Sequence, residues 1–250
     1  MKSWIYAFFM CWGMFLAVPC PFPRWDERSR GKMLVCFPLI GCIVGVLWCG
    51  AAYLLGLVSC PVSIEAFLLT AVPFLLTGFI HLDGFMDVCD ALLSRRDLET
   101  RKRILKDPHT GAFAVISVVL LIAAEFSLFL SRSIGTPDLL PLGLIPVATR
   151  ACSGLAVLLL RPMETSQYSA GHGKPAAGHI VFLALLLTAA AAVPIIIFGI
   201  GGLAPLCAAA GYWAFSLIAF KKLDGMSGDV SGFALTMGEL IGLAVLIIVR

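Results

Sequence analysis

Gly111-Ala-Phe-Ala-Val-Ile-Ser-Val-Val-Leu-Leu-Ile-Ala-Ala-Glu125-Phe-Ser-Leu-Phe-Leu130 is an apolar run broken by one charged side chain. At about 1.5 Å per residue in a helix, a run of this length matches the roughly 30 Å hydrocarbon core of a bilayer. Six more such runs lie around it: Met33–Leu57, Val62–Ile80, Leu139–Leu160, Ile180–Gly199, Leu203–Phe220 and Phe233–Val249. None alternates polar with apolar as a barrel strand must, so each backbone can satisfy itself in lipid only as a helix. Charged residues make up 13% of the 250-residue chain, against about 25% in a soluble domain, too few to cover a wet surface. The expected fold is all-α: a polytopic transmembrane bundle of about seven spans, forming one catalytic domain over residues 1–250.

Trp4–Val18 is a further apolar stretch, short for a span. It follows the single basic residue Lys2 and leads into Pro19-Cys20-Pro21, a poor cleavage site for a secretory signal. A retained interfacial or re-entrant segment is the preferred reading, ahead of a span and a cleaved leader. The nine cysteines are scattered without a CxxC pair, and most sit in apolar runs as small buried hydrophobes.

Polar residues collect in four loops, Cys20–Lys32, His81–Thr110, Arg161–His179 and Lys221–Gly232, which hold 14 of the 18 Lys and Arg residues and 11 of the 15 acidic ones. The connectors between them, Val58–Pro61, Ser131–Asp138 and Ile200–Gly202, contribute one basic residue, Arg132. With seven spans all four polar loops fall on one side, and the positive-inside rule makes that side cytoplasmic. The basic residues thus have a topological use, and nucleic acid is not an expected partner. All four histidines share these loops, an arrangement suited to an enzyme working at one membrane face. A transporter would gather polar groups nearer the midplane. Glu125, Arg150 and Glu239 keep that alternative open.

The sharpest chemical signal is His81-Leu-Asp83-Gly-Phe-Met-Asp87-Val-Cys-Asp90. At about 100° per residue, Asp83, Asp87 and Asp90 fall at roughly 0°, 40° and 340°, one narrow stripe of a helix continuing from the preceding span. Three carboxylates so placed repel one another unless a cation lies between them. Oxygen ligands suit a hard ion such as Mg²⁺, which combines one or two carboxylates with water and phosphate oxygens. A solvated acidic helix end is the plainer alternative, although Leu82, Phe85, Met86 and Val88 beside the stripe are not solvent residues. His81, at roughly 160°, faces away from the carboxylates and is a candidate for a supporting contact behind them or for substrate contact, rather than a ligand of the same ion.

Ser94-Arg-Arg-Asp97-Leu-Glu-Thr-Arg101-Lys-Arg103-Ile-Leu-Lys106-Asp107-Pro-His109-Thr-Gly111 follows. Its basic residues fit either anionic headgroups or phosphate groups of a substrate. Lys106, Asp107 and His109 gather at the mouth of a span and belong with the site. The last polar loop, Ser227-Gly228-Asp229-Val-Ser-Gly232, sets glycine around an aspartate, so that backbone can approach a phosphate closely. Tyr168-Ser-Ala-Gly171-His172-Gly173-Lys174 reads equally as a lid or a linker.

These residues, in this order, resemble the cobalamin synthase family, the adenosylcobinamide-GDP ribazoletransferases of late vitamin B12 assembly. Pro21-Phe-Pro23, Phe37-Pro-Leu-Ile-Gly41-Cys-Ile-Val-Gly45, Thr77-Gly-Phe-Ile-His81 with the acidic motif, Lys106-Asp107-Pro-His-Thr-Gly111, Arg150, Asp229 and Glu239 carry the resemblance nearly end to end. The family usually has Gly where this chain has Ala91, and Ser where it has Pro108. The resemblance implies Mg²⁺-dependent attack by a ribose hydroxyl of α-ribazole, or of its 5′-phosphate, on adenosylcobinamide-GDP, with GMP leaving. On this reading Asp83, Asp87 and Asp90 hold Mg²⁺, with Asp107 or Asp229 completing the shell. A carboxylate free of the metal, or His109, takes the proton. Lys106 and Arg150 stabilise phosphate charge, and His81, Arg150, Gly228 and Asp229 contact substrate. The expected setting is a bacterial or archaeal inner (cytoplasmic) membrane, with the lipid bilayer as a partner and a homo-oligomer left open. A CDP-alcohol phosphatidyltransferase also lines up aspartates on a helix, but its second Gly-x₃-Asp-x₃-Asp segment is missing here.

Overall fold

The computed structural model describes residues 2–58, 60–164 and 176–249; Tyr168–Lys174, read above as lid or linker, lies outside them. Ten α-helices follow in order: α1 (Lys2–Phe15), α2 (Arg30–Leu57), α3 (Val62–Leu76), α4 (Ile80–Leu93), α5 (Leu98–Ile104), α6 (Ala112–Ser131), α7 (Leu139–Leu159), α8 (Ala177–Phe198), α9 (Ala204–Leu223) and α10 (Gly228–Ile248). Helices α2 and α6–α10 are each long and apolar enough to cross a bilayer, and the bent pair α3–α4 has the length and composition of a seventh, broken span or of a re-entrant loop. The chain is a polytopic helical membrane protein, and each expected apolar run falls within one of these segments.

Helix α7 forms the centre, with 78% of its spanning window buried, whereas α6 and α8 bury 22% of theirs and face outward. Lipid is as apolar as leucine, so helices associate here by close packing of small residues. Gly41 and Gly45 of α2 lie against the backbone of Pro146, Val147 and Gly143 in α7; a Cβ on Gly45 would come 2.1 Å from the Gly143 carbonyl oxygen. Gly211 and Gly238, and Gly242 with Ala208, join α9 to α10 in the same way.

The expectation of one continuous helix from the Val62–Ile80 run into the acidic motif does not hold: α3 and α4 meet at 92°. The cause is a helix stop that the apolar pattern does not record. Gly78 adopts φ +59°, the Phe79 N–H bonds the Phe74 carbonyl and the Gly78 N–H bonds that of Leu75. These are the two bonds of a Schellman ending with glycine in the left-handed position. Phe79 is also left-handed, at φ +63°, so α4 restarts in a new direction.

Helix α1 is too short to cross. Its first turn lies at the polar end, where Lys32 Nζ donates to Ser3 Oγ at 2.8 Å and Trp4 packs edge-on to His179. Phe15, at its far end, meets Phe37 inside the bundle at 4.4 Å between ring centroids. The chain then doubles back: the Trp12 indole N–H bonds the Val18 carbonyl and Phe22 stacks on Tyr6.

The opposite end carries few charges, and they turn inward. Arg132 pairs with buried Asp138 at 2.7 Å and donates to the Leu246 carbonyl. Gly45→Ala is expected to lower stability by about 1–3 kcal/mol through overpacking. Gly50→Ala, with no atom within 4 Å of its Cβ, should leave the melting temperature of the detergent-solubilised protein unchanged.

Candidate active site

Four carboxylates define the site. On α4, Asp83 is exposed while Asp87 and Asp90 are partly buried, and all three share the stripe that their spacing requires. The fourth comes from α10. Gly84, between the first two aspartates, packs on the backbone of Asp229, and a Cβ there would meet the Asp229 Cα at 2.9 Å. One turn further, Gly232 lies against the backbone of His81. Missing side chains on both helices thus bring Asp229 beside the stripe. The Asp87 carboxylate is in electrostatic range of Asp83, Asp229 and Asp90, and Asp229 is in range of Asp83. Ser227 caps α10 by accepting the Val230 N–H at 3.2 Å and fixes the turn that presents Asp229.

The other end of the stripe rests on α6. A Cβ on Gly111 would fall 2.0 Å from the Asp90 Oδ2, so this carboxylate occupies the place of the missing side chain, at the α6 N-terminus. The helix dipole favours an anion there. The Lys106–Thr110 turn is exposed. Within it the Asp107 carboxylate accepts the His109 backbone N–H at 3.0 Å and faces the ring Nδ1 at 2.7 Å. That backbone bond, then the ring contact, holds the Asp107 carboxyl below the usual carboxylate range. Lys106 makes no ion pair among the described residues. Asp107 is bound up with His109, so Asp229 is the acidic residue that joins the stripe.

The loops around the site are braced together. The Met226 N–H bonds the Arg161 carbonyl, the Met163 N–H bonds the Met226 carbonyl, and Arg161 pairs with Asp224. Asp224 also lies 3.9 Å from Lys102 of α5. Gly228 is exposed, with open space where a Cβ would lie, so its backbone remains approachable.

His81 and Arg150 are enclosed, unlike the substrate contacts expected of them. The His81 ring is 8% exposed, stacked on Phe15 and edge-on to Phe37, and its Nε2 has no hydrogen-bond partner among the described residues. Thr236 donates to its backbone carbonyl. Arg150 is fully buried, pairs with Glu239 at 2.6 Å, donates to the Pro146 carbonyl and lies over the Phe37 ring. Thr149 donates to the same Glu239 oxygen at 3.2 Å. His81 thereby joins α4 to α1, α2 and α10, and Arg150 joins α7 to α10. The pairing of Arg150 with Glu239 was not visible in the sequence, because 89 positions separate them.

Among the described residues no three His, Cys, Asp or Glu groups converge into a ready-made metal cluster. The carboxylates form a row along a helix. A row of oxygen donors fits an ion that takes one or two of them and fills its octahedron with water and phosphate oxygens.

The signature of the family described as cobalamin-5-phosphate synthase matches residues 7–247. The chain belongs to that family. A relative from Clostridium perfringens strain 13, named adenosylcobinamide-GDP ribazoletransferase, is 38% identical over 98% of this chain and 99% of its own. Relatives of the same name from Clostridium botulinum strain Alaska E43 and Chlorobium phaeobacteroides are 36% and 33% identical, over 97% and 88% of this chain and 97% and 90% of theirs. No solved structure matches. The two departures from the family pattern are absorbed locally: Ala91 is buried within unbroken α4, and Pro108 sits in the exposed turn closed by Asp107 and His109.

If Arg150 is a support inside the bundle, removing it leaves Glu239 buried without a partner. Arg150→Ala is expected to cost about 3–5 kcal/mol, and Arg150→Met with Glu239→Leu to recover most of it. Thermal unfolding in detergent checks both; a phosphate-binding arginine would leave stability unmoved.

Proposed function

We propose that this chain transfers the cobinamide-phosphate group of adenosylcobinamide-GDP to a ribose hydroxyl of α-ribazole or α-ribazole 5′-phosphate, releasing GMP, at the cytoplasmic face of a cell membrane. The observation that carries it is the row Asp83–Asp87–Asp90 with Asp229 packed alongside, in a chain whose full-length relatives are named for this reaction. The excess of Lys and Arg at the same end supports the orientation.

Asp87, in range of all three other carboxylates, is the residue placed to hold Mg²⁺ with one neighbour. The ion, when bound, neutralises the diphosphate and the charge that develops as the bridge breaks. The side chains do the rest by positioning. The open backbone of Gly228, at the capped start of α10, receives the diphosphate, and Asp229 beside it is placed to share the Mg²⁺. Exposed Asp83, at the end of the row away from α6, accepts the proton of the attacking hydroxyl. A new O–P bond forms at the cobinamide-linked phosphorus, the P–O–P bridge opens, and GMP departs with the bridging oxygen. Lys106 and His109, in the turn that leads to Gly111, face the charge on the leaving nucleotide. Arg150 and His81 hold the helices at their spacing.

Asp87→Asn should reduce GMP release by about 100-fold or more while the protein inserts and purifies normally. Chelation of divalent ions should abolish turnover, and Mg²⁺ should restore it. Gly111→Ala makes the Asp90 carboxylate swing aside; activity should fall about 10- to 100-fold with little change in melting temperature.

A further inference from the structure

Beyond the carboxylate row, α4 borders an open cleft of about 480 Å³ between the end of α1 and the α3–α4 break. Met14, Leu16, Ala17 and Ile80 give it apolar walls, Thr77–Phe79 supply its backbone edge, and Asp83 is its one charged residue. Ile80 lies on the same side of α4 as the aspartates, three residues before Asp83, so cleft and row form one continuous face. The walls are tied together: the Ala17 N–H donates to the Leu76 carbonyl at 2.8 Å, and Ala17 lies against Gly78. These contacts within the chain fix the shape of the cleft.

Phe79, on its edge, is about half exposed and left-handed at φ +63°. A bulky side chain is rarely found in that conformation, and strain of this kind persists where the surrounding fold imposes it. The break holds a bare aromatic ring next to apolar walls, an arrangement suited to stacking on a planar heterocycle.

Size selects among the substrates. Pockets for small organic molecules run about 300–1,000 Å³. A cleft near the low end has room for a nucleoside with one bicyclic base and not for a corrinoid, which is several times larger. We infer that this cleft binds the acceptor nucleoside, with its base between Phe79 and the Met14–Ala17 wall and its ribose at Asp83. The corrinoid diphosphate is left to the Asp87–Asp90 half of the row. This inference rests on the transferase reading above and adds to it the place of the second substrate.

The test is equilibrium binding of α-ribazole, followed by its benzimidazole fluorescence, to the full-length protein in detergent. Ala17→Trp fills the cleft; Phe79→Asn removes the ring but keeps a residue that tolerates the left-handed conformation. Each variant should weaken α-ribazole binding at least about tenfold while GDP binding with Mg²⁺ stays within about twofold. Met14→Ala, which opens one wall, should weaken it as well and serves where Ala17→Trp fails to fold. Unchanged α-ribazole binding in the folded variants overturns the assignment. So does a wild-type protein that does not bind α-ribazole, the result expected if lipid or detergent fills the cleft. Turnover of adenosylcobinamide-GDP is measured alongside. Binding at the cleft without transfer would refute the reaction, whereas transfer with variants that bind normally would refute the cleft alone.

Discussion

Helices α4 and α10 can meet only because neither has a side chain at the point where they cross. Gly84 lies on the Asp229 backbone and Gly232 on that of His81, and this contact places a carboxylate of one helix beside three of the other. Four anions gathered on a surface flanked by apolar side chains repel one another, so the contact has to hold them against that force. The supports stand behind it: Phe15 and Phe37 around His81, Thr236 on its carbonyl, and the Arg150–Glu239 pair that ties α7 to α10. Polar groups deep in a bundle are costly, and here they are paired: Arg150 with Glu239, and Thr149 with the same carboxylate oxygen.

The same logic separates the two ends of the molecule. At one end, charged side chains remain open to water. At the other, Arg132, Asp138 and the Leu246 carbonyl satisfy one another, and Glu65 accepts from Ser133. Among the described residues the charged groups at that end are paired inward, whereas most of the exposed ones lie at the first.

The spans were legible because length and apolar character are enough to specify a bilayer-crossing helix. The acidic stripe was legible because helical geometry turns spacing into direction, as Asp83, Asp87 and Asp90 illustrate. The 92° turn at Thr77–Phe79 was not, since an apolar run looks the same on both sides of a Schellman ending and only the left-handed φ of Gly78 and Phe79 reveals it. Asp229 was read as a site residue from its glycine neighbours, but its partner, Gly84, was hidden inside the acidic motif. His81 was read from its direction on the helix and Arg150 from the family resemblance; neither reading could foresee the enclosure that Phe15, Phe37 and Glu239 provide. The acceptor cleft joins α1 to the α3–α4 turn, a meeting that no local pattern encodes.

Helix α4 is also a lever. Its fulcrum is Gly78, and at about 1.5 Å per residue Asp90 stands roughly 17–18 Å from it. A swing of about 10° there would carry that carboxylate some 3 Å, more than the width of a metal–oxygen bond. The arm is pinned twice along its length, at Gly84 by α10 and near its tip by the seat at Gly111. Angular error at the hinge is thereby prevented from reaching the chemistry, and three residues with no functional groups of their own set the accuracy of the whole constellation.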